Sequence, residues 1–142
     1  MKRILLQSVL AAFALTCGYF FWMRHFAEQE LVIISTSDLH SDINNMPRLA
    51  TAVKMSRDTV RTLLVDSGDR WTGNAYVDMA AEPRRPIIDM MNALGYDVAT
   101  LGNHEWDAGH PFLGYINTSV AKFDVVCANC KSDTISFPQP DA

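Results

Sequence analysis

The sequence predicts an α/β fold in which strands and helices alternate, preceded by an apolar N-terminal helix. Short β-branched or leucine-rich runs recur along the chain and are separated by amphipathic helical stretches, a pattern that indicates a largely parallel sheet with right-handed crossovers. Clusters of polar residues follow three of these runs, where the strands should end. The chain has 142 residues, of which 49% are hydrophobic and 20% charged, values that are ordinary for a folded domain with a core.

Residues 1–27 form the first predicted unit, an export or anchor segment. Lys2 and Arg3 precede an almost unbroken apolar run from Ile4 to Met23. About twenty residues is the length that spans a bilayer as a helix, whereas Ala12-Phe13-Ala14 offers a small-x-small cleavage site for a signal peptide. We favour an uncleaved anchor over a cleaved signal. Either reading predicts an exported protein that is membrane-anchored or periplasmic/extracellular.

The first half of the second predicted unit, residues 28–142, begins the alternation. Leu31 to Thr36 is a continuous apolar run that predicts a buried strand. Pro47 opens a predicted helix that ends at Arg57, since proline is favoured in a first helical turn. The apolar positions of that helix include Leu49, Val53 and Met55. Val60 to Asp66 is predicted as the second strand, and a short helix follows over 75–81.

The second half of the unit repeats the pattern. A helix is predicted from Pro86 to Leu94, with Gly95 as its C-terminal cap. Its buried side is predicted to carry Ile87, Ile88, Met90 and Met91. The third strand is predicted over 97–101 and the fourth over 123–128. The helix between them, 109–122, should turn inward Phe112, Leu113, Ile116 and Val120.

The charge balance narrows the class of partner. The formal net charge of −4 gives no basic surface for nonspecific contact with phosphodiester backbones, so no nucleic-acid binding is expected. Several of the acidic residues lie close to histidines in the sequence. Carboxylate oxygens and imidazole nitrogens together are ligands for divalent cations.

Three polar clusters carry the predicted chemistry. They are Asp38-Leu39-His40 after the first strand, Gly68-Asp69 after the second, and Gly102-Asn103-His104-Glu105-Trp106-Asp107 after the third. Taken singly, the first two are also typical of helix caps and ordinary turns. In an open α/β sheet, however, ligands bind at the edge where the strands end. Three clusters that mix carboxylates, an amide and imidazoles at that edge predict a cation site.

The combined motifs resemble those of the calcineurin-like metallophosphoesterases. The longer Gly102–Asp107 stretch is similar to their 5′-nucleotidase branch, which usually has Phe where Trp106 stands, and Ala128-Asn129 after the fourth strand fits the same branch. The resemblance spans Val32 to Asn129. It implies the N-terminal part of a four-layer α/β/β/α sandwich, in which two packed sheets are flanked by helices. It also implies two divalent metal ions, zinc, manganese or similar, that hydrolyse phosphate esters such as nucleotides.

The resemblance assigns a role to each motif residue. Asp38 and His40 would bind the first metal, Asp69 would bridge both, and Asn103 would bind the second through its carbonyl oxygen. His104 would be the catalytic imidazole, oriented by Asp107, and Asn103 and His104 would also contact the substrate. These roles come from the family and not from the spacing of the residues.

The chain departs from the family after His104. Relatives carry further histidine ligands on later loops and a C-terminal domain, whereas this chain has only His110 beyond that point. We therefore expect an incomplete metal site in the N-terminal portion of a longer phosphoesterase whose C-terminal half is missing. The alternative is a non-catalytic truncated remnant that binds metal weakly or acts as a partner subunit.

Residues beside the motifs are predicted to be structural. Asp66 should end its strand, and an exposed surface is expected for Arg70, Arg84, Arg85 and His110. Glu105 either supports the metal ligands from behind or faces solvent. Trp71 and Trp106 either wall the site or simply pack. For Cys127-x-x-Cys130 we expect free or buried thiols, ahead of a local disulfide or half of a zinc knuckle.

Overall fold

A computed structural model describes residues 2–26, 30–131 and 133. The chain divides into two compact units, Met1–Glu30 and Leu31–Ala142. The first unit contains helix α1, Lys2–Phe26, whose side chains are exposed from residue 7 to residue 24. Among the residues described, no helix meets the combined length and apolarity that a membrane crossing requires.

The second unit is built on one parallel sheet of four strands. These are β1 Leu31–Thr36, β2 Arg61–Asp66, β3 Val98–Ala99 and β4 Asp124–Val125, in the order β1-β2-β3-β4. Parallel neighbours need crossover connections, and helices supply them here. The predicted α/β alternation is therefore confirmed. The described residues form this single sheet, so the second sheet of the expected sandwich is not among them.

Five helical segments accompany the sheet: α2 Met46–Arg57, α3 Ala75–Asp78, α4 Arg85–Leu94, a 3₁₀ turn His104–Trp106, and α5 His110–Tyr115, which continues as a π-helical turn Ile116–Val120. Asn74 caps α3 by accepting a hydrogen bond from the N–H of Tyr76 at 3.1 Å. Gly95 ends α4 in the left-handed conformation, with φ +70°, as its predicted capping role requires.

The core lies between the helices and one face of the sheet. Leu64 of β2 is fully buried, as are Ile87, Ile88 and Met91 of α4. Inward-facing positions of α5 and its continuation complete this core with Leu113, Ile116 and Val120. Three predicted core positions differ: Phe112 and Met90 are only partly buried, and Met55 is 66% exposed because it lies on the outer side of α2. The prediction that β1 is a buried strand was wrong as well, because its residues 31–33 are exposed at the edge of the sheet.

The third and fourth strands are shorter than predicted, at two residues each. Backbone pairing continues just beyond β3, since Thr100 N–H donates to Asp66 O at 2.9 Å. The chain then leaves the sheet at Leu101 and Gly102, which turn toward the segment after β2. This early departure brings the segments after β2 and β3 into contact.

Cys127 and Cys130 form a disulfide in the turn that follows β4, so the expectation of free thiols was wrong. The Cys130 N–H donates to the Cys127 carbonyl at 3.3 Å, closing a tight turn. The two Cα atoms are 5.2 Å apart, within the range that a disulfide spans.

Candidate metal centre

Three of the predicted metal ligands lie together at the carboxyl edge of the sheet. Asp38, His40 and Asp69 each offer one ligand atom, and these atoms lie within 4.8 Å of one another. All three residues have positive φ, at 53°, 45° and 54° respectively. Such left-handed backbone is uncommon outside glycine and concentrates at functional sites. The cluster is therefore a candidate site for a divalent cation.

The segments that carry these ligands are held side by side by backbone hydrogen bonds. Asp38 N–H donates to Gly68 O at 3.1 Å, and His40 N–H donates to Asp69 O at 3.0 Å. Ser41 N–H continues the series by donating to Arg70 O at 2.9 Å. The pairing of β1 with β2 thus extends past the strand ends and fixes the first two clusters relative to each other.

The hydrogen bond of His40 sets its tautomer. Its Nδ1 lies 2.8 Å from the carbonyl oxygen of Thr72. Because a carbonyl oxygen only accepts, Nδ1 carries the proton and donates it. In the neutral imidazole Nε2 is then the nitrogen with a free lone pair, and it lies 3.9 Å from Asp38 Oδ1. A metal-binding imidazole needs this arrangement, so two carboxylates and one imidazole fit a divalent cation such as zinc or manganese.

Asn103 lies against Asp69 and can present either end of its amide. One terminal atom of the amide is 3.3 Å from Asp69 Oδ2, and the other is 3.3 Å from the backbone nitrogen of His104. Hydrogen bonding alone favours the amide nitrogen toward Asp69. A rotation of 180° would turn the carbonyl oxygen toward the carboxylate, and only a cation between the two oxygens would stabilise that pair.

His104 and Asp107 form a hydrogen-bonded pair beside the cluster. His104 Nδ1 lies 2.8 Å from Asp107 Oδ2, and the His104 ring is 4.9 Å from the ring of His40. The hydrogen bond to Asp107 raises the pKa of His104. In return, the hydrogen bonds from His104 and then Thr72 lower the pKa of Asp107. Nε2 of His104 is left as the ring nitrogen available to a substrate.

Gly68 and Gly102 allow the segments after β2 and β3 to meet. A Cβ on Gly68, whose φ is +101°, would lie 2.8 Å from the carbonyl carbon of Leu101. A Cβ on Gly102 would lie 2.7 Å from the backbone nitrogen of Asp69 and overlap its carboxylate. Side chains larger than hydrogen would therefore push the two segments apart. This close approach explains why each motif begins with glycine.

Sequence reasoning misplaced Arg70 and left Glu105 undecided. Arg70 was expected on the surface, yet its side chain is fully buried, and so is that of Glu105. Arg70 Nε lies 3.3 Å from Asp66 Oδ1 and 3.8 Å from Glu105 Oε1. Asp66 ends β2 as predicted, and burial raises its pKa against the opposing charge of Arg70. The sequence carried one signal, because Arg70 directly follows the Gly68-Asp69 motif.

The aromatic and the remaining charged residues near the cluster mostly have structural roles. Trp71 is fully buried and donates from Nε1 to His104 O at 2.6 Å, so it packs and does not wall the site. His110 is exposed at the start of α5, as predicted. Arg85 pairs with Glu82 and Asp89 on the surface. Arg84, expected on the surface, is half-buried, with its guanidinium 5.7 Å from the Phe112 ring centroid.

Proteins of known sequence share this region. The chain is 31% identical over 144 residues to a 2′,3′-cyclic-nucleotide 2′-phosphodiesterase/3′-nucleotidase of Haemophilus influenzae, which covers 86% of this chain and 22% of that protein. It is 35% identical to a trifunctional nucleotide phosphoesterase of Bacillus subtilis, over 72% of this chain and 8% of the relative. It is 33% identical to human 5′-nucleotidase, over 72% of this chain and 21% of the relative.

Solved structures agree on the fold. A 5′-nucleotidase precursor from Thermus thermophilus superposes with a TM-score of 0.58 at 24% identity, over 70% of this chain and 22% of that one. The NAD nucleotidase of Haemophilus influenzae superposes with a TM-score of 0.59 at 25% identity, over 70% of this chain and 20% of that one. The chain spans between 8% and 22% of the length of the three sequence relatives. No protein-family model matches the chain.

Proposed function

Because the chain belongs to the 5′-nucleotidase branch of the calcineurin-like metallophosphoesterases, whose N-terminal portion it matches, we propose that it carries part of a dinuclear metal site for hydrolysis of phosphate esters. The observation that carries this proposal is the cluster of Asp38, His40 and Asp69 with the His104 ring beside it. Two carboxylates, an unprotonated imidazole nitrogen and a second imidazole are the groups that such chemistry needs.

We assign the metal-binding roles as follows. Asp38 and His40 would hold the first cation together with Asp69, whose ligand atom lies within 4.8 Å of theirs. Asn103 would hold the second cation with Asp69, through its carbonyl oxygen when the amide is turned so that this oxygen faces Asp69. Divalent cations bound there would supply positive charge that attracts a phosphate and polarises its bonds.

His104 serves the leaving group. Asp107 accepts a hydrogen bond from His104 Nδ1–H and raises the His104 pKa, so the proton to be moved is the one on Nε2. As water forms the new bond to phosphorus and releases a proton to solvent, the bond to the leaving oxygen breaks, and the Nε2 proton is donated to that oxygen, where negative charge gathers. Asp107 meanwhile stabilises the charged imidazole and fixes its orientation. Asn103 and His104 are the two predicted site residues that face the substrate as well.

The substrate class follows from the relatives and from charge. The relatives are named for nucleotide and cyclic-nucleotide phosphates, so we propose a phosphorylated small molecule such as a nucleotide as substrate.

Four ligand side chains are few for two cations. We therefore propose that further ligands come from a C-terminal portion like that of the longer relatives, and that residues 1–27 direct the protein to export or to a membrane.

Metal binding tests the proposal. In calorimetric titration of the full chain with MnCl₂, we expect saturable binding that Asp69→Asn weakens at least about tenfold, since a ligand contributes no less than the groups that support it. The matched control is Asp89→Asn, which removes the same charge from a surface pair with Arg85. Equal affinity for the wild-type chain and for Asp69→Asn would overturn the assignment.

A further inference from the structure

One buried carboxylate joins the two segments that carry Asp69 and His104. Glu105 is fully buried and accepts three backbone N–H groups. Its Oε2 accepts from Asp69 at 2.9 Å and from Gly102 at 2.5 Å, and its Oε1 accepts from Arg70 at 3.0 Å. Asp69 and Arg70 follow β2, whereas Gly102 follows β3. A single side chain therefore ties together segments more than thirty residues apart in sequence.

The tie is reciprocal. Asp69 Oδ1 accepts a hydrogen bond from the backbone N–H of His104 at 2.8 Å. The backbone N–H of Asp69 thus donates to the Glu105 carboxylate, and the backbone N–H of His104 donates to the Asp69 carboxylate. Two such bonds in opposite directions restrain both the separation of the turns and the rotation of Asp69. The position of the Asp69 carboxylate is thereby fixed relative to the backbone of His104, the proposed catalytic residue.

Arg70 places a positive charge beside the buried Glu105 carboxylate. A buried anion needs both hydrogen bonds and an opposite charge. Glu105 has three N–H donors, and Arg70 Nε lies 3.8 Å from its Oε1. Arg70 is fixed in turn by Asp66 and by donation from Nη2 to the carbonyl oxygen of Thr100. All three side chains, Asp66, Arg70 and Glu105, are buried.

We propose that Glu105, held by Arg70, is a positioning residue that sets the cation affinity of the site by fixing Asp69 against His104. It touches neither cation nor substrate and acts through Asp69. This inference rests on the proposed function, because it takes Asp69 to be a cation ligand. A side chain that only packed or faced solvent would not need three N–H donors and a buried counter-ion, and Glu105 has both.

Glu105→Gln tests the proposal with little change of shape. An amide has one acceptor atom, so its nitrogen would face either the N–H of Arg70 or those of Asp69 and Gly102. We expect the Mn²⁺ affinity of the full chain to fall about 10–100-fold, the usual effect of losing a group that orients a ligand. The control is Asp42→Asn, which removes one charge and whose hydrogen bonds go to Asn44 and Asn45. The affinity of this variant should change by less than about threefold, because Asp42 is only half-buried and its charge is screened by solvent and salt.

An NMR measurement without metal separates positioning from the proposed function. In Glu105→Gln the amide protons that lose their acceptor, either that of Arg70 or those of Asp69 and Gly102, should move upfield and exchange faster, while that of Leu64 in β2 stays unchanged. Unchanged amides at all three positions, or Mn²⁺ affinity equal to the wild type, would overturn the positioning role. If the wild-type chain binds no Mn²⁺, the proposed function fails, and the amide shifts alone decide whether Glu105 ties the segments.

A second variant covers the case in which Glu105→Gln does not fold. Glu105→Asp keeps the charge opposite Arg70 and withdraws the carboxylate by about 1.5 Å, one carbon–carbon bond. Far-ultraviolet circular dichroism should be unchanged, and the Asp69 and Gly102 amides should shift as described. A folded Glu105→Asp chain with wild-type amide shifts and affinity would contradict the proposal.

Discussion

Replacing Arg70 with Met should strongly destabilise the Leu31–Ala142 unit. Met preserves much of the side-chain volume but removes the positive charge that pairs with both Asp66 and Glu105. Both carboxylates would stay in the interior without a counter-ion. Arg70 also donates to Thr100 O, so that buried carbonyl would lose a partner as well.

The expected loss can be set against the stability of the whole domain. Removing one partner of a buried ion pair costs about 3–5 kcal/mol, out of the about 5–15 kcal/mol that separates folded from unfolded domains. For a domain near this size, each kcal/mol lowers the melting temperature by about 4 °C or more. A decrease of about 12 °C or more follows.

The loss should also depend on pH. Burial already raises the pKa of Asp66, and Arg70 opposes that rise, so Arg70→Met should raise it further. A carboxyl with a raised folded-state pKa binds more protons when folded. Stability of the variant should therefore recover as pH falls through that raised pKa toward the ordinary 3.8, and the difference from the wild type should shrink.

Urea denaturation of the full chain, followed by circular dichroism at several pH values, measures both effects. The matched control is Arg85→Met, because Arg85 makes its ion pairs with Glu82 and Asp89 on the surface. Exposed pairs contribute about 1 kcal/mol or less. If Arg70→Met loses no more free energy of unfolding than Arg85→Met, Arg70 is not the buried counter-ion described here.

Three further outcomes are expected. Asp107→Asn should lower the pKa of His104 toward its ordinary 6.5, because the carboxylate hydrogen bond raises it; NMR titration of the metal-free chain would contradict this by showing no change. Gly102→Ala should cost about 1–3 kcal/mol of unfolding free energy in urea melts, because its Cβ overlaps Asp69, whereas Gly18→Ala, whose Cβ meets nothing within 4 Å, should not. The chain alone with manganese or zinc should turn over a nucleoside monophosphate or an aromatic phosphate ester below about 1 per second; faster turnover that vanishes in His104→Ala would refute the incomplete-site reading.

Local sequence patterns were sufficient for the framework. β1 and β2 lie within a residue of their predicted ranges, and Gly95 ends α4 as predicted. These elements are specified by runs of apolar residues and by a cap, both of which are visible in a short window. The short strands β3 and β4 were overestimated because their ends depend on the departure of Leu101 and Gly102 toward another segment.

Long-range partners explain what the sequence did not reveal. Arg70 and Glu105 are charged, and charged residues are ordinarily exposed. Their burial depends on each other and on backbone groups from a distant turn. The three candidate ligands Asp38, His40 and Asp69 were predicted from their motifs, but their shared left-handed backbone was not. It follows from the pairing of segments beyond the strand ends, which no single motif contains.

Anomalous diffraction from crystals soaked in MnCl₂ tests the central claim, that Asp38, His40 and Asp69 hold a divalent cation. A peak should lie about 2.0–2.2 Å from His40 Nε2 and from carboxylate oxygens of Asp38 and Asp69, the usual distances for nitrogen and oxygen ligands. A second peak between Asp69 and Asn103 would support the dinuclear proposal. Manganese bound only elsewhere, or absent at saturating concentration with the three side chains in place, would contradict the account.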